Sequence, residues 1–381
     1  MNRLGRHAVA ADTVFDGHVV HHHCAVLIDG AQIVRVGPRR ELPADVPIHE
    51  LPAGSWLAPG FIDVQVNGGG DVLFNDEPTP AGIARIVAAH RRYGTTALMP
   101  TLLSDTPEKM RTALQAVREL PAGVLGIHFE GPFLSPEKPG VHHPELLRGP
   151  TSDDLRLLAS PQPGITLVTL APEQVPAGFV SGLAKAGVRV ALGHSMATYE
   201  QTRAALADGL TGFTHLFNAM RPLASREPGP IAAALENSNA WFGMIVDGAH
   251  VDPAMLRLAL RGVAHPILVT DAMPSAGGTR STFLLYGREI ETRGEICITE
   301  DGTFAGTALN MASAVRNCVH FLGVPLPSAL RYASYEPAAF LGVANRLGRL
   351  IEGWQADMVA FDPDNIRILG TWVAGGWAEP G

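Results

Sequence analysis

Cysteine is scarce in this chain: Cys24, Cys297 and Cys318 are the only three in 381 residues, widely separated and without a C-x-x-C pair. A disulfide framework and a cysteine-built metal knuckle are therefore excluded, and a reducing cytoplasm is the expected compartment. Long apolar runs are missing as well. No stretch reaches the roughly 18 residues that span a bilayer, and the opening Met1-Asn-Arg-Leu-Gly-Arg-His lacks the apolar core of a secretory signal. Nor is positive charge in excess, since 29 Lys plus Arg stand against 37 Asp plus Glu for a net charge of -8. That balance argues against nucleic acid or an anionic membrane as partner, and an anionic small substrate would need a local Arg/His cluster to hold it. A dinucleotide fingerprint is absent too: Gly68-Gly69-Gly70 has the wrong spacing and reads as a loop.

What is present is a chain 46% hydrophobic and 17% charged, the composition of a well-packed enzyme. Its length accommodates a barrel of about 250 residues and a smaller companion. Near the N-terminus, Ala25 to Gly37 carries an Asp29-Gly30 hairpin signal between two β-rich runs. The C-terminal runs Trp354 to Asp362 and Ile366 to Trp377 read the same way, so one small β-sandwich domain is expected from both chain ends, 1–56 and 346–381. In between, short β-rich runs alternate with helical patterns such as Pro80 to Tyr93. The strand candidates are Gly60 to Val66, Thr95 to Pro100, Val124 to Glu130, Ile165 to Ala171, Val188 to His194, Gly212 to His215, Trp241 to Asp247 and Ile267 to Asp271. Eight such units predict a (β/α)8 TIM-type barrel over 57–345, with a doubly wound open sheet as the rival. Phe283 to Ile290 and Glu295 to Phe304 read as an extra β excursion before the last helices.

Catalytic groups of such a barrel sit where strands end at its C-terminal face, and Glu130, His194, His215 and Asp271 occupy four such ends. One Glu and two His make an open catalytic zinc-type set with a position left for water. A lone histidine reads as a satisfied core residue, but four polar strand ends in one order argue for a site. Gln65 and Asn67 share a face of the first strand, which lets Gln65 reach a water at the metal; His128 shares a face with Glu130 and is expected to pack rather than to support the ligands. His21-His22-His23 reads as a solvated turn with no carboxylate partner nearby. Asp271 is the candidate general acid/base, with a fourth ligand or a loop cap as the alternative. His142, Asn218, Arg226 and His250 fall in loops after strand ends, where substrate contacts concentrate. The Arg226 fork suits a phosphate, although beside Glu227 a surface ion pair is the plainer reading.

Pro59-Gly-Phe-Ile-Asp63, His128-Phe-Glu-Gly-Pro132, Gly193-His-Ser195, Thr214-His-Leu-Phe-Asn-Ala-Met220, Asp247-Gly-Ala-His250 and Thr270-Asp-Ala272 follow one another in an order that resembles the N-acetylglucosamine-6-phosphate deacetylases of the amidohydrolase superfamily. The likeness is nearly full length and takes in Leu347 to Asp362, a segment typical of the wider superfamily. It implies metal-dependent hydrolysis of N-acetylglucosamine 6-phosphate to glucosamine 6-phosphate and acetate, in amino-sugar catabolism and cell-wall recycling. It further implies Glu130, His194 and His215 as ligands of one divalent ion, zinc first, with iron, cobalt or manganese as alternatives. Asp271 and His142 become catalytic, and Val141, Asn218, Ala219, Arg226, Asp247, His250, Phe304, Ala305 and Gly306 become substrate contacts. A homodimer with Arg226 and His250 near its interface is implied in the same way. The chain departs from many amidohydrolases at Gln65-Val66-Asn67, where those carry His-x-His for a second ion. Amides are poor ligands beside imidazole, so one metal is expected. The alternatives are the same chemistry on another N-acetyl sugar or an N-acyl amino acid, and a non-catalytic barrel serving as a scaffold.

Overall fold

The structure is a computed structural model that describes residues 5–378. The expected domain bounds reach into 1–4 and 379–381, which lie outside the described residues. Eight strands form one sheet in the order His265–Leu268, Trp241–Met244, Gly212–Phe213, Arg189–Leu192, Ile165–Leu170, Gly126–Glu130, Thr95–Leu103 and Phe61–Val66. Every adjacent pair is parallel. A parallel bridge between Val66 and Ala272 closes the first strand onto the last, helped by Asn67 N donating to the Ala272 carbonyl at 2.9 Å. The result is a (β/α)8 barrel.

The strands read as continuous apolar runs because both their faces are covered: all nine residues of Thr95–Leu103 and all six of Phe61–Val66 are buried. The helix between them, Pro80–Arg91, starts on a Thr79 side chain that accepts from Gly82 N at 3.0 Å, with proline in its first turn. Ile83, Ile86, Val87 and His90 supply its buried stripe at helical spacing. It stops short of the expected Tyr93, because Gly94 takes a left-handed φ of 85° and turns the chain into the next strand.

Both chain ends build a second eight-stranded sheet around a core of Val9, Val26, Ile33, Leu57, Met358 and Trp372, forming the small β-sandwich. Strand Trp56–Pro59 joins the two contributions, running parallel to His7–Phe15 and antiparallel to Met358–Asp362. The sheet therefore continues three residues beyond 56. The barrel core extends without a break into Phe15, Ala58, Val359 and Phe361, which fixes the two parts to each other.

Two local expectations are corrected. Gly68–Gly69 is not simply loop but pairs with Val72–Leu73 in a short antiparallel ribbon. His21, His22 and His23 lie in strand Val20–Asp29 rather than in a turn, and His21 Nε2 sits 2.8 Å from the Asp16 carboxylate five residues upstream. The expected β excursion is a four-stranded antiparallel sheet, Thr282–Leu285, Arg288–Arg293, Ile296–Thr299 and Phe304–Thr307. No helix among the described residues is long and apolar enough to cross a membrane.

Candidate active site

Glu130 is the last residue of its strand, while His194 and His215 stand two residues and Asp271 three residues past the end of theirs. All three take left-handed backbone conformations, with φ of 48°, 32° and 52°. Such conformations are strained for residues with a Cβ and cluster at functional sites. All four side chains are buried.

His215 Nε2 lies 2.9 Å from Glu130 Oε1, His194 Nε2 lies 3.2 Å from that same oxygen, and the two Nε2 atoms are 3.2 Å apart. His194 Nδ1 is 2.8 Å from the Lys138 carbonyl, which only accepts, so Nδ1 carries the proton and Nε2 turns its lone pair into the cluster. Tetrahedral bonds of about 2.0–2.1 Å hold donor atoms roughly 3.3 Å apart, close to the triangle seen here. The three residues are the one group among the described residues with the donors for a metal. This is a divalent-metal site. Burial raises the cost of ionising Glu130, yet hydrogen bonds and charge from both imidazoles hold its carboxyl well below the usual range.

Asp271 faces the triangle without joining it. Its Oδ1 accepts from Asn67 Nδ2 at 2.7 Å and from Gln65 Nε2 at 3.1 Å, and Gln65 Nε2 also lies 3.3 Å from Glu130 Oε2. The two amides that stand where His-x-His was looked for thus spend their N–H groups on carboxylates. Gln65 is bound into this network, and Asn67 makes the shorter contact to Asp271. Burial, reinforced by the Glu130 charge, raises the Asp271 carboxyl to about 6. Behind it, Thr270 Oγ1 donates to Asp63 Oδ2 at 2.6 Å, and burial lifts Asp63 to about 7. Gly306 is left-handed and packs so close that a Cβ there would sit 2.7 Å from the Asp271 carbonyl.

The segment after Glu130 carries Val141 and His142 over the triangle. It is pinned by a bidentate pair, Arg148 Nη1 and Nη2 to Asp154 Oδ2 and Oδ1, both at 2.7 Å. His142 is buried, its ring 4.6 Å from that of His194, and burial with the neighbouring imidazoles holds its pKa down to about 3. It is a neutral ring. His128 points instead into the barrel, with Nδ1 3.1 Å from the Val64 carbonyl and Nε2 2.7 Å from Thr169 Oγ1.

A cavity of about 310 Å³ opens over these groups, at the lower end of the roughly 300–1,000 Å³ typical of small-ligand sites. Glu130, His194, His215, Asp271, Val141, His142, Asn218, Ala219, His250, Phe304 and Gly306 line it. Three expected contacts do not. Ala305 is fully buried behind the wall, and the Asp247 carboxylate is turned to its own loop, accepting from Ala249 N and His250 N at 2.9 Å each and pairing with His250 Nδ1 at 2.6 Å. Arg226 is exposed in the loop before Gly229–Leu235 and stays outside the cavity. Conversely, Glu137, Lys138, Leu103, Met273 and Thr303 line it and were not anticipated. Of these, Lys138 carried a readable signal, a cation four residues before His142 in the same loop.

The amidohydrolase family profile matches residues 56–378. This chain belongs to the amidohydrolase family. It is 40% identical over 361 residues to an N-acetylgalactosamine-6-phosphate deacetylase of Shewanella sp. (strain ANA-3), covering 93% of this chain and 91% of that protein. It is 34% identical over 382 residues to an N-acetylglucosamine-6-phosphate deacetylase of Haemophilus influenzae, covering 98% of this amidohydrolase and all of the relative. The crystal structure of N-acetylglucosamine-6-phosphate deacetylase from Pasteurella multocida superposes with a TM-score of 0.95 at 34% identity, over 98% of this chain and 100% of that one.

Proposed function

We propose that this chain hydrolyses the acetamide of N-acetylglucosamine 6-phosphate, giving glucosamine 6-phosphate and acetate. The observation that carries the reading is a free carboxyl, Asp271, facing a three-donor metal cluster inside one small cavity. Relatives of both the glucosamine and galactosamine specificities, matched over nearly their whole length, support the substrate class.

Glu130, His194 and His215 would hold a divalent ion, which when bound would supply Lewis acidity for the hydrolysis. Asp271 takes the proton of the attacking water as its oxygen adds to the acetyl carbon. His142, neutral, donates to the carbonyl oxygen as negative charge develops there. Asp271 then returns the proton to the nitrogen, the C–N bond breaks, and the amine and acetate leave. A carboxyl near 6 suits both halves of that shuttle. Zinc, one ion per subunit, fits the N,N,O donor set, with iron, cobalt or manganese as competitors. The amides of Gln65 and Asn67 fill the place of a second set of ligands, which favours a single ion.

Asn218, Ala219, Val141, Phe304 and Gly306 hold the sugar, with Ala305 and Asp247 shaping the wall from behind. The phosphate needs a cation, and Arg226 reaches it from the partner subunit of a homodimer, with His250 beside the same interface. The working division is a sandwich domain of 1–56 with 346–381 and a catalytic barrel of 57–345, in a cytoplasmic enzyme.

The 40% identity to an N-acetylgalactosamine-6-phosphate deacetylase favours a second reading, the C4 epimer as substrate. Acetate release from both phosphosugars and from unphosphorylated N-acetylglucosamine, before and after chelation, decides between them. Highest kcat/KM on N-acetylglucosamine 6-phosphate, lost on chelation and restored by zinc, is expected; preference for the galacto epimer or for the free sugar overturns the assignment.

A further inference from the structure

We propose that Ser104, held by Tyr286 of the outer β-sheet, sets the tautomer of His142 so that its Nε2–H faces the cavity as a donor. The inference rests on the reading of His142 as the group that polarises the acetyl carbonyl, and it assigns positioning roles to two residues outside the cavity lining.

His142 Nδ1 meets Ser104 twice, at 3.2 Å from the backbone N and 2.8 Å from Oγ. A backbone N–H only donates, so Nδ1 presents its lone pair, and a neutral imidazole then carries its one proton on Nε2. Ser104 Oγ has one proton to give, and its alternative acceptor, the Glu130 carbonyl, is farther away at 3.4 Å. Nε2 has no protein partner among the described residues and belongs to a ring that lines the cavity. The tautomer matters because the opposite form would turn a nitrogen lone pair toward an oxygen gaining negative charge.

Ser104 is fixed from three sides. Tyr286 OH donates to its carbonyl at 2.7 Å, from the left-handed turn between Thr282–Leu285 and Arg288–Arg293. Asn75 clamps the preceding residue, accepting from Leu103 N at 3.0 Å and donating to its carbonyl at 3.1 Å. Gly131, with φ of 83°, leaves room for the hydroxyl, since a Cβ there would sit 2.3 Å from Ser104 Oγ. The four-stranded excursion therefore reaches Ser104 through the Tyr286 phenol.

The test is the ¹⁵N spectrum of the zinc-loaded protein labelled at histidine, with His142 identified by the signals lost in His142→Asn. Expected is an unprotonated Nδ1 and a protonated Nε2. The Ser104→Ala/Tyr286→Phe double variant keeps the backbone N–H donor but loses the hydroxyl donor to Nδ1 and the phenol that fixes the residue 104 backbone. The other tautomer is therefore admixed with the Nε2–H form, and kcat falls about 3- to 10-fold with KM within about twofold, the range of one neutral hydrogen bond. Tyr286→Phe alone, a one-atom change, gives the same readings in smaller measure if the double variant does not fold. A wild-type Nδ1–H form, or variants that keep Nε2–H undiluted, overturn the proposal. The spectrum is read without substrate, so an error in the sugar assignment leaves the tautomer result standing.

Discussion

Glu130, His194, His215 and Asp271 sit at strand ends and are bound to one another or to first-strand amides, whereas Asn218, His250 and Arg226 belong to loops and are held mainly by their own segments, with Phe304 beside them at the start of its outer strand. His250 pairs with Asp247 three residues away, Asn218 Nδ2 donates to the His215 carbonyl three residues away, and Phe304 is 42% exposed at the mouth. The floor is thus fixed by long-range contacts across the barrel, and the rim by short-range turns. Chemistry that needs donor atoms placed to within tenths of an ångström is on the floor. Recognition, which tolerates side-chain adjustment, is on the rim.

The contrast breaks most sharply at the ligands. With a single ion, no neighbouring metal shares the load of a lost donor, so His215→Ala or His194→Ala is expected to empty the site and lower turnover by roughly a thousandfold or more. Metal content per subunit by elemental analysis checks this; a His215→Ala protein with a full zinc complement would show the triangle is not the ion's cage. One step down, Asp271→Asn preserves shape and metal but removes the proton acceptor, and a loss of at least about 100-fold in kcat is expected. Turnover near wild type in that variant sinks the acid/base role.

The floor also sets a pH limb. Asp271 accepts a proton only when ionised, and its carboxyl is raised from 3.8 to about 6 by burial and by Glu130. Activity therefore falls about tenfold per pH unit on the acid side of that value. A cation seated at the triangle pulls the carboxyl back down, placing the limb at or below about 6 in the loaded enzyme. Asn67 hydrogen-bonds the ionised form, so Asn67→Ala moves the limb to higher pH while zinc content stays unchanged. A pH-rate profile of kcat/KM reads both, and a limb unmoved by Asn67→Ala detaches it from Asp271.

Much of the floor was legible in the sequence because a barrel puts functional groups at strand ends, and apolar runs ending in Glu130, His194, His215 and Asp271 mark those ends without any knowledge of contacts. The supports were not. Asn67 meets Asp271 across 204 positions and Tyr286 meets Ser104 across 182, distances at which no periodicity speaks. The left-handed φ at the three strand ends was equally hidden, since nothing in a His or Asp announces it. His21 shows the opposite failure: its Asp16 partner was five residues away, but reading the triplet as a turn removed the strand that brings them together.

Arg226 is where the comparison has most to gain. It is exposed and outside this chain's cavity, while the residue beside it, Glu227, is already engaged, with Oε1 accepting from Tyr199 N at 2.8 Å and Gly229 N at 3.0 Å. The expected ion pair between neighbours is thus not what occupies Glu227, and among the described residues Arg226 makes no ion pair, which leaves its guanidinium for the phosphate contact proposed across a homodimer. A charge-assisted contact of this kind is worth about 1.5–3 kcal/mol, so Arg226→Ala is expected to raise KM for the phosphosugar about tenfold or more and to leave kcat and the KM for the unphosphorylated sugar nearly unchanged. On the proposed homodimer, in which Arg226 serves the neighbouring site, mixing Arg226→Ala with Asp271→Asn subunits should regenerate some wild-type-like sites: those that pair an intact Asp271 with the other subunit's Arg226. Equal KM changes for the two sugars, or no recovery on mixing in a protein that is dimeric by light scattering, would remove Arg226 from phosphate recognition and leave the rim without its cation from across the interface.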